Sequence, residues 1–403
     1  MTSHDEGALR RAALLLAGGS AAAVLFSIAV SHILLGAAIV AIIAARIRLR
    51  VPPIAVPLLA FIGWTLVSLA ASPDPRAGLP QVRKFYVWLT LIAIYSTFRN
   101  VRDVRTLLIV WTTLATASGL WSFVQFWRKQ TEAVAEHSDF YMYYVANRVT
   151  GFMSHWMTFS AEQMMAALML SALLIFAAVS RFWWMAVAVI GSSIAIAWTR
   201  SVWLAFVIGL IYLVAVWRPK FLLAVPVLLG LAVVAAPDAV GRRVTSIWNP
   251  NRNADSNDHR RITLLTGLEM IKSHPLTGTG PEIVGRDFMK YVPAHIPKPL
   301  PSGFYGHLHN LYVQYAAERG IPALLALLAL VGKVLVDFAR AVRRAGPEKR
   351  LERAVLHGAI ACILAILVEG FFELNLGDTE VLTMFLAVVA AGYIASRDVL
   401  SAA

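Results

Sequence analysis

The sequence predicts an all-α polytopic membrane protein of about twelve transmembrane helices with one large loop outside the cytoplasm. Three observations carry this. Of 403 residues, 59% are apolar and only 15% charged, with a mean hydropathy of +0.67. A soluble domain carries about 25% charged and about 45–50% apolar residues, and a disordered chain is far less apolar. Apolar runs recur at 12–29, 31–45, 52–71, 85–98, 106–127, 159–179, 182–198, 201–217, 221–236, 321–339, 354–372 and 380–396, several of them close to the roughly 20 residues that a spanning helix needs. With the N-terminus placed in the cytoplasm, the short inner segments hold eighteen Lys and Arg and the short outer segments seven. That bias puts both termini inside.

The elements follow in order. The first two runs nearly fuse and read as a helical hairpin bent near Ser31. The basic start is followed at once by a second span, so a cleavable signal peptide is not expected. Residues 1–236 form an N-terminal membrane region of about nine helices, including a smaller polar and aromatic outer loop at 128–158. Residues 237–320 form the large loop, whose Pro237, Pro250, Pro275, Pro281, Pro293, Pro297, Pro299 and Pro301 argue for irregular structure around one or two helices. Residues 321–403 supply about three more helices. The single cysteine, Cys362, excludes an internal disulfide and a CxxC-type site.

The net charge of +13 belongs to the membrane faces rather than to a nucleic-acid surface. Arg260 and Arg261 follow Asp255-Ser256-Asn257-Asp258, where Asp258 reads as a helix N-cap. Ile262, Leu264, Leu265, Leu268 and Ile271 then supply an apolar face, and Pro275 stops the helix. Two arginines thus occupy a first turn where the macrodipole is already positive. A phosphate relieves that conflict through guanidinium forks and free helix N–H groups; neutralisation by Asp255 and Asp258 is the alternative. Arg200, within Trp198-Thr199-Arg200-Ser201-Val202-Trp203, is a cation at the outer interface facing a phosphate, or a snorkelling side chain at a tight turn. Arg83 and Lys84 open the fourth span from the same side and either hold lipid phosphates or snorkel. Lys333 and Asp337 form a local i,i+4 ion pair. Glu162 and Glu369 lie in spans near the outer side, where either would face a water-filled cavity. A helix begins near His309, and an imidazole there can take and return a proton at neutral pH; nearby arginines would hold it neutral.

His309-Asn310-Leu311-Tyr312 followed by Glu318-Arg319-Gly320 resembles the motif that closes the large periplasmic loop of O-antigen ligases and the related O-antigen polymerases. Arg260 with Met270-Ile271, His274-Pro275-Leu276 and Gly278-Thr279-Gly280 is similar to the same family's arginine and "HPLxGxG" stretch. Thr199-Arg200-Ser201 and Arg148-Val149-Thr150-Gly151-Phe152 resemble two further segments, so the likeness covers 148–322. The adjacent Arg261 is the alternative to Arg260, and His307 the alternative to His309, which Asn310 favours.

The resemblance implies a Gram-negative inner-membrane glycosyltransferase with its site facing the periplasm. It would move a glycan from undecaprenyl pyrophosphate to a sugar hydroxyl of lipid A–core, with inversion. His309 would be the general base and Arg200 with Arg260 the diphosphate clamp, while Arg83, Lys84 and Arg148 would bind lipid phosphate. No cofactor and no metal are expected: the loop has no DxD pair, and His307 and His309, two residues apart, would not share a helix face; on a strand they would share one, and zinc or another metal is then the alternative. The alternatives are a polymerase of the same superfamily that extends the lipid-linked glycan, or a lipid or polysaccharide transporter.

Overall fold

The computed structural model describes residues 3–177, 179–234, 238–246 and 257–401, and every regular element among them is helical. The first hairpin consists of α1 (Ser3–Ala23) and α2 (Ile28–Ala44). It turns at 24–27, earlier than the bend expected near Ser31, because Ser27 caps α2 by accepting the Val30 amide. Ser31 instead faces α1. Its hydroxyl donates to the Ser20 carbonyl and the Ser20 hydroxyl to that of Ser31, both at 2.8 Å. These small residues let the two backbones approach closely.

The chain continues through α3 (Ala55–Ala71), the short α4 (Leu79–Arg83), a 3₁₀ turn at 84–88, α5 (Leu89–Thr97) and α6 (Val101–Ala135). At 35 residues, α6 is about 52 Å long, well beyond the roughly 30 Å of a hydrocarbon core. Its last turns therefore run on through the 128–158 segment, expected as a loop, and carry α7 (Phe140–Ala146). Then come α8 (Trp156–Phe176), α9 (Trp183–Ile196), α10 (Arg200–Trp217) and α11 (Ala224–Val234). The large loop segment holds four helices among its described residues rather than one or two: α12 (Asp238–Thr245), α13 (Asn257–Ser273), α14 (Ile283–Asp287) and α15 (Leu311–Arg319). The chain closes with α16 (Ile321–Arg344), α17 (Arg350–Glu369) and α18 (Thr379–Leu400).

A helix meets each expected apolar run, but only six helices among the described residues are long and apolar enough to cross a membrane: α6, α8, α10, α16, α17 and α18. The protein is a polytopic helical membrane protein, and shorter apolar helices, α2, α3 and α9 among them, accompany these six. The run at 85–98 shows how a helix comes out short: its first residues go into the 3₁₀ turn, which leaves nine for α5.

Packing interleaves the two ends of the sequence. α17 lies against α8 and α10, α18 against α5 and α17, and α3 against α16. α8 and α18 are enclosed by neighbours, with 83% and 89% of their apolar stretches buried, whereas α10 and α16 turn most of theirs outward, at 28% and 33%. Inside α16, Lys333 and Asp337 pair at 2.9 Å, as the i,i+4 spacing predicts, and Tyr393 of α18 donates to the same carboxylate.

The loop helices are held to the bundle by backbone pairing between two tracts singled out in the sequence. The Thr279 and Gly280 amides donate to the carbonyls of Ala317 and Glu318, and the Ile321 amide donates to Pro275. Gly278 (φ +68°) admits no side chain, because a Cβ there would lie 2.4 Å from the Glu318 carbonyl carbon. From α3, Trp64 donates to Leu276 and Ser68 to Thr277. The glycine-rich stretch is therefore a seam between loop and membrane helices.

Candidate functional site

At the end of the bundle where α13 and α15 dock lies a cavity of about 770 Å³. Five arginines line it, and four of them, Arg148, Arg200, Arg243 and Arg260, lie close enough to influence one another; the fifth is Arg319. Arg200 is the first residue of α10; its Nη1 donates to Ser246 Oγ at 2.9 Å and its Nη2 to Asn257 Oδ1 at 2.8 Å. Arg243, on α12, is buried and donates through Nε to the Trp198 carbonyl. Arg148 donates to Val145 and stacks 4.6 Å over Trp156. Arg260, in the first turn of α13, places Nη2 3.9 Å from Glu373 Oε2. Burial and the adjacent guanidinium groups pull Arg148 well below its ordinary value. The Arg260 guanidinium is also lowered, first by burial, against the pull of Glu373.

Helix register separates Arg260 from Arg261, its alternative in the sequence. Residues adjacent on a helix point about 100° apart, so Arg260 enters the cavity while Arg261 is exposed and absent from its lining. The helix starts at Asn257, so Asp258 sits inside the first turn and not at the N-cap; Asp255 and Ser256 lie outside the described residues.

Next to the arginines stand four imidazoles, His155, His259, His307 and His309. α15 begins at Leu311 with Asn310 as its cap, two residues after His309. His309 has φ +48°, a left-handed conformation unusual for a non-glycine residue. Both residues precede the helix, and this irregular backbone brings the rings of His307 and His309 to 4.0 Å. His309 Nδ1 lies 3.2 Å from Glu373 Oε2, and its Nε2 lies 3.1 Å from the Phe304 carbonyl. His307 Nε2 lies 3.7 Å from Glu373 Oε1. Burial alone would raise the Glu373 carboxyl, but the hydrogen bond from His309 and the charges of His309, His307 and Arg260 outweigh it and hold the group at about 2. Burial and then His309 push His307 down to about 4, and burial also lowers His155 and His259. Ligand atoms of His307, His309 and Glu373 lie within 4.8 Å of one another, close enough to share a metal ion, and Arg260 brings a cation to the same carboxylate.

The third wall holds Lys84, whose Nζ donates to Gly377, together with Gln81, Glu282, Glu318 and Arg319. Arg83, expected beside Lys84, is exposed and does not line the cavity. Glu369 lines it, while Glu162 is buried within α8 and does not.

Sequence reasoning missed Glu373, Arg243, His155 and His259. Glu373 lies in the polar stretch between the last two apolar runs, and a search of the outer segments for carboxylates finds it. What brings it to His309 is the His309-Asn310-Leu311-Tyr312 tract itself. Asn310 Nδ2 donates to Phe371, the Leu311 amide to Gly370 and the Tyr312 hydroxyl to Leu367. The tract grips the end of α17 and swings the following residues under the imidazole.

Fold and site together define a membrane-embedded protein with an arginine- and histidine-lined cavity at one end of its helices. Residues 166–328 match the family described as O-Antigen ligase, a match that supports membership of the O-antigen ligase/polymerase superfamily. The segment includes Arg200, Arg243, Arg260, His259, His307 and His309 but not Arg148, His155, Lys84 or Glu373. No curated protein matches the chain.

Proposed function

We propose that this protein is an O-antigen ligase that transfers a glycan from undecaprenyl pyrophosphate to a hydroxyl of lipid A–core at the periplasmic face of the inner membrane. The observation that carries the reading is the meeting of four guanidinium groups and the His309–Glu373 pair in one cavity. The periplasm has no ATP, so the energy arrives in the donor, whose diphosphate is a good leaving group once its charge is stabilised. Arg148, Arg200, Arg243 and Arg260 supply that charge. Glu373 accepts the Nδ1 proton of His309 in a hydrogen bond, which leaves Nε2 to remove the acceptor hydroxyl proton. The hydroxyl oxygen bonds to the anomeric carbon as the bond from that carbon to the diphosphate breaks, and the electron pair leaves with the diphosphate. Attack opposite the leaving group inverts the anomeric centre. In the structure Nε2 faces the Phe304 carbonyl, to which it can only donate, so Nε2 gives that proton up to water as the acceptor hydroxyl displaces the carbonyl on binding. Base catalysis contributes about 10²–10⁴-fold.

The test incubates purified protein with lipid-linked glycan, with and without lipid A–core. A ligase yields product only with the acceptor, and His309→Ala abolishes it. A ladder of longer lipid-linked glycans without acceptor identifies a polymerase, and movement of intact lipid-linked glycan across a vesicle without either product identifies a transporter.

A further inference from the structure

A second cavity, of about 440 Å³, lies at the opposite end of the bundle and is lined by Arg10, Arg46, Arg48, Arg50 and Arg99. The stretch 84–97 runs between the two: Lys84 lines the first cavity and Thr97 the second. The five arginines come from three separate segments, α1, the α2–α3 connection and the α5–α6 connection. No acidic residue lines this cavity, and none of the five arginines forms an ion pair among the described residues.

The backbone here is built to hold the cations together. α2 ends in a Schellman turn, with the Ile47 amide donating to Ile42 and the Arg46 amide to Ile43. Its left-handed position (φ +49°), where glycine is usual, is held by Arg46. The Arg50 amide donates to Ser96 Oγ at 2.9 Å, which ties the α2–α3 connection to α5. One arginine per helix end would satisfy the carbonyls of α2 and α5, and Arg397 already donates to the carbonyls of Phe98 and Arg99. Five guanidinium groups facing one concave space exceed that need. Beside them, Val40 and Ile43 on α2 and Leu49 and Val51 in the connection are exposed, at 66%, 68%, 56% and 46%. A ligand there meets phosphate-binding forks and an apolar wall together.

We propose that this cavity is a binding site for the phosphate headgroup of an anionic phospholipid, whose acyl chains lie along the exposed face of α2. The site is independent of the transfer reaction at the other end. Basic pockets between membrane helices suit such headgroups, and the apolar wall selects a lipid over a free phosphate ion.

Native mass spectrometry of the delipidated full chain in detergent tests this, with cardiolipin, phosphatidylglycerol, phosphatidylcholine and inorganic phosphate as separate probes. The anionic lipids are expected to bind and the other two to be displaced by washing. Replacing three arginines together, Arg46→Gln, Arg48→Gln and Arg50→Gln, should weaken cardiolipin binding on the order of a hundredfold. The pair Arg102→Gln and Arg105→Gln removes charges from the same end of the bundle outside the cavity and should leave binding unchanged. Arg48→Gln alone gives a graded loss if the triple variant does not fold. Equal binding of phosphatidylcholine, equal occupancy by inorganic phosphate, or equal loss in the control pair overturns the proposal.

Discussion

Glu373→Gln isolates the charge of the carboxylate that faces His309. The amide oxygen of Gln still accepts from Nδ1, so the geometry at 3.2 Å is kept while the negative charge is lost. An imidazolium and a carboxylate at that separation attract by about 5 kcal/mol at an effective dielectric of 20. Arg260, 3.9 Å from the same carboxylate, and water in the cavity reduce this to about 3 kcal/mol of transition-state stabilisation, or roughly a hundredfold in kcat. Glu373→Ala also frees the imidazole to turn and approaches the full contribution of a general base, about 10²–10⁴-fold. The assay is steady-state transfer of lipid-linked glycan to lipid A–core, with kcat and KM separated and thermal unfolding measured on the same samples. If kcat is unchanged in Glu373→Gln while the melting temperature drops, the carboxylate only holds the fold and the reasoning fails.

Four further outcomes are expected. Arg200→Lys should lose nearly as much transfer as Arg200→Ala, because the two Nη atoms act as a fork that a lysine point charge does not reproduce; near-normal activity in the lysine variant, measured as kcat/KM, would demote the fork. Gly278→Ala should destabilise by at least about 1–3 kcal/mol from its left-handed backbone alone, with the clash against Glu318 adding to it, and a melting curve in detergent measures this. Acidification should destabilise the protein in two stages. Folded His307 sits near 4, below the ordinary 6.5, so its contribution is complete above 6.5 and is lost as pH falls toward 4; folded Glu373 sits near 2, below 4.5, so its contribution fades between 4.5 and 2. In His307→Asn the upper stage should shrink in melts taken across pH, with His155 and His259, which burial also lowers, supplying what is left of it. Transfer should survive EDTA, and a loss that an added divalent ion restores would assign a metal to His307, His309 and Glu373.

The sequence by itself determined the membrane class, because burial of an apolar run in lipid depends on local composition and length. It also marked Arg200, Arg260 and His309, whose motifs are written in short stretches of chain, and the pairing of Lys333 with Asp337, which needs only helical spacing. Tertiary structure decided what depends on meeting at a distance. Glu373 is 64 residues from His309 and reaches it only because Asn310 and Tyr312 grip the end of α17. Arg260 rather than Arg261 enters the cavity because the packing of α13 fixes which way a helix face points. His307 and His309 turn toward one another through a left-handed residue that no periodicity predicts. The glycine-rich tract proved to be a docking seam, since its strained turns make sense only against the backbone of Glu318 and Arg319. Propensity and hydropathy act within one stretch of chain, whereas a cavity is assembled from many.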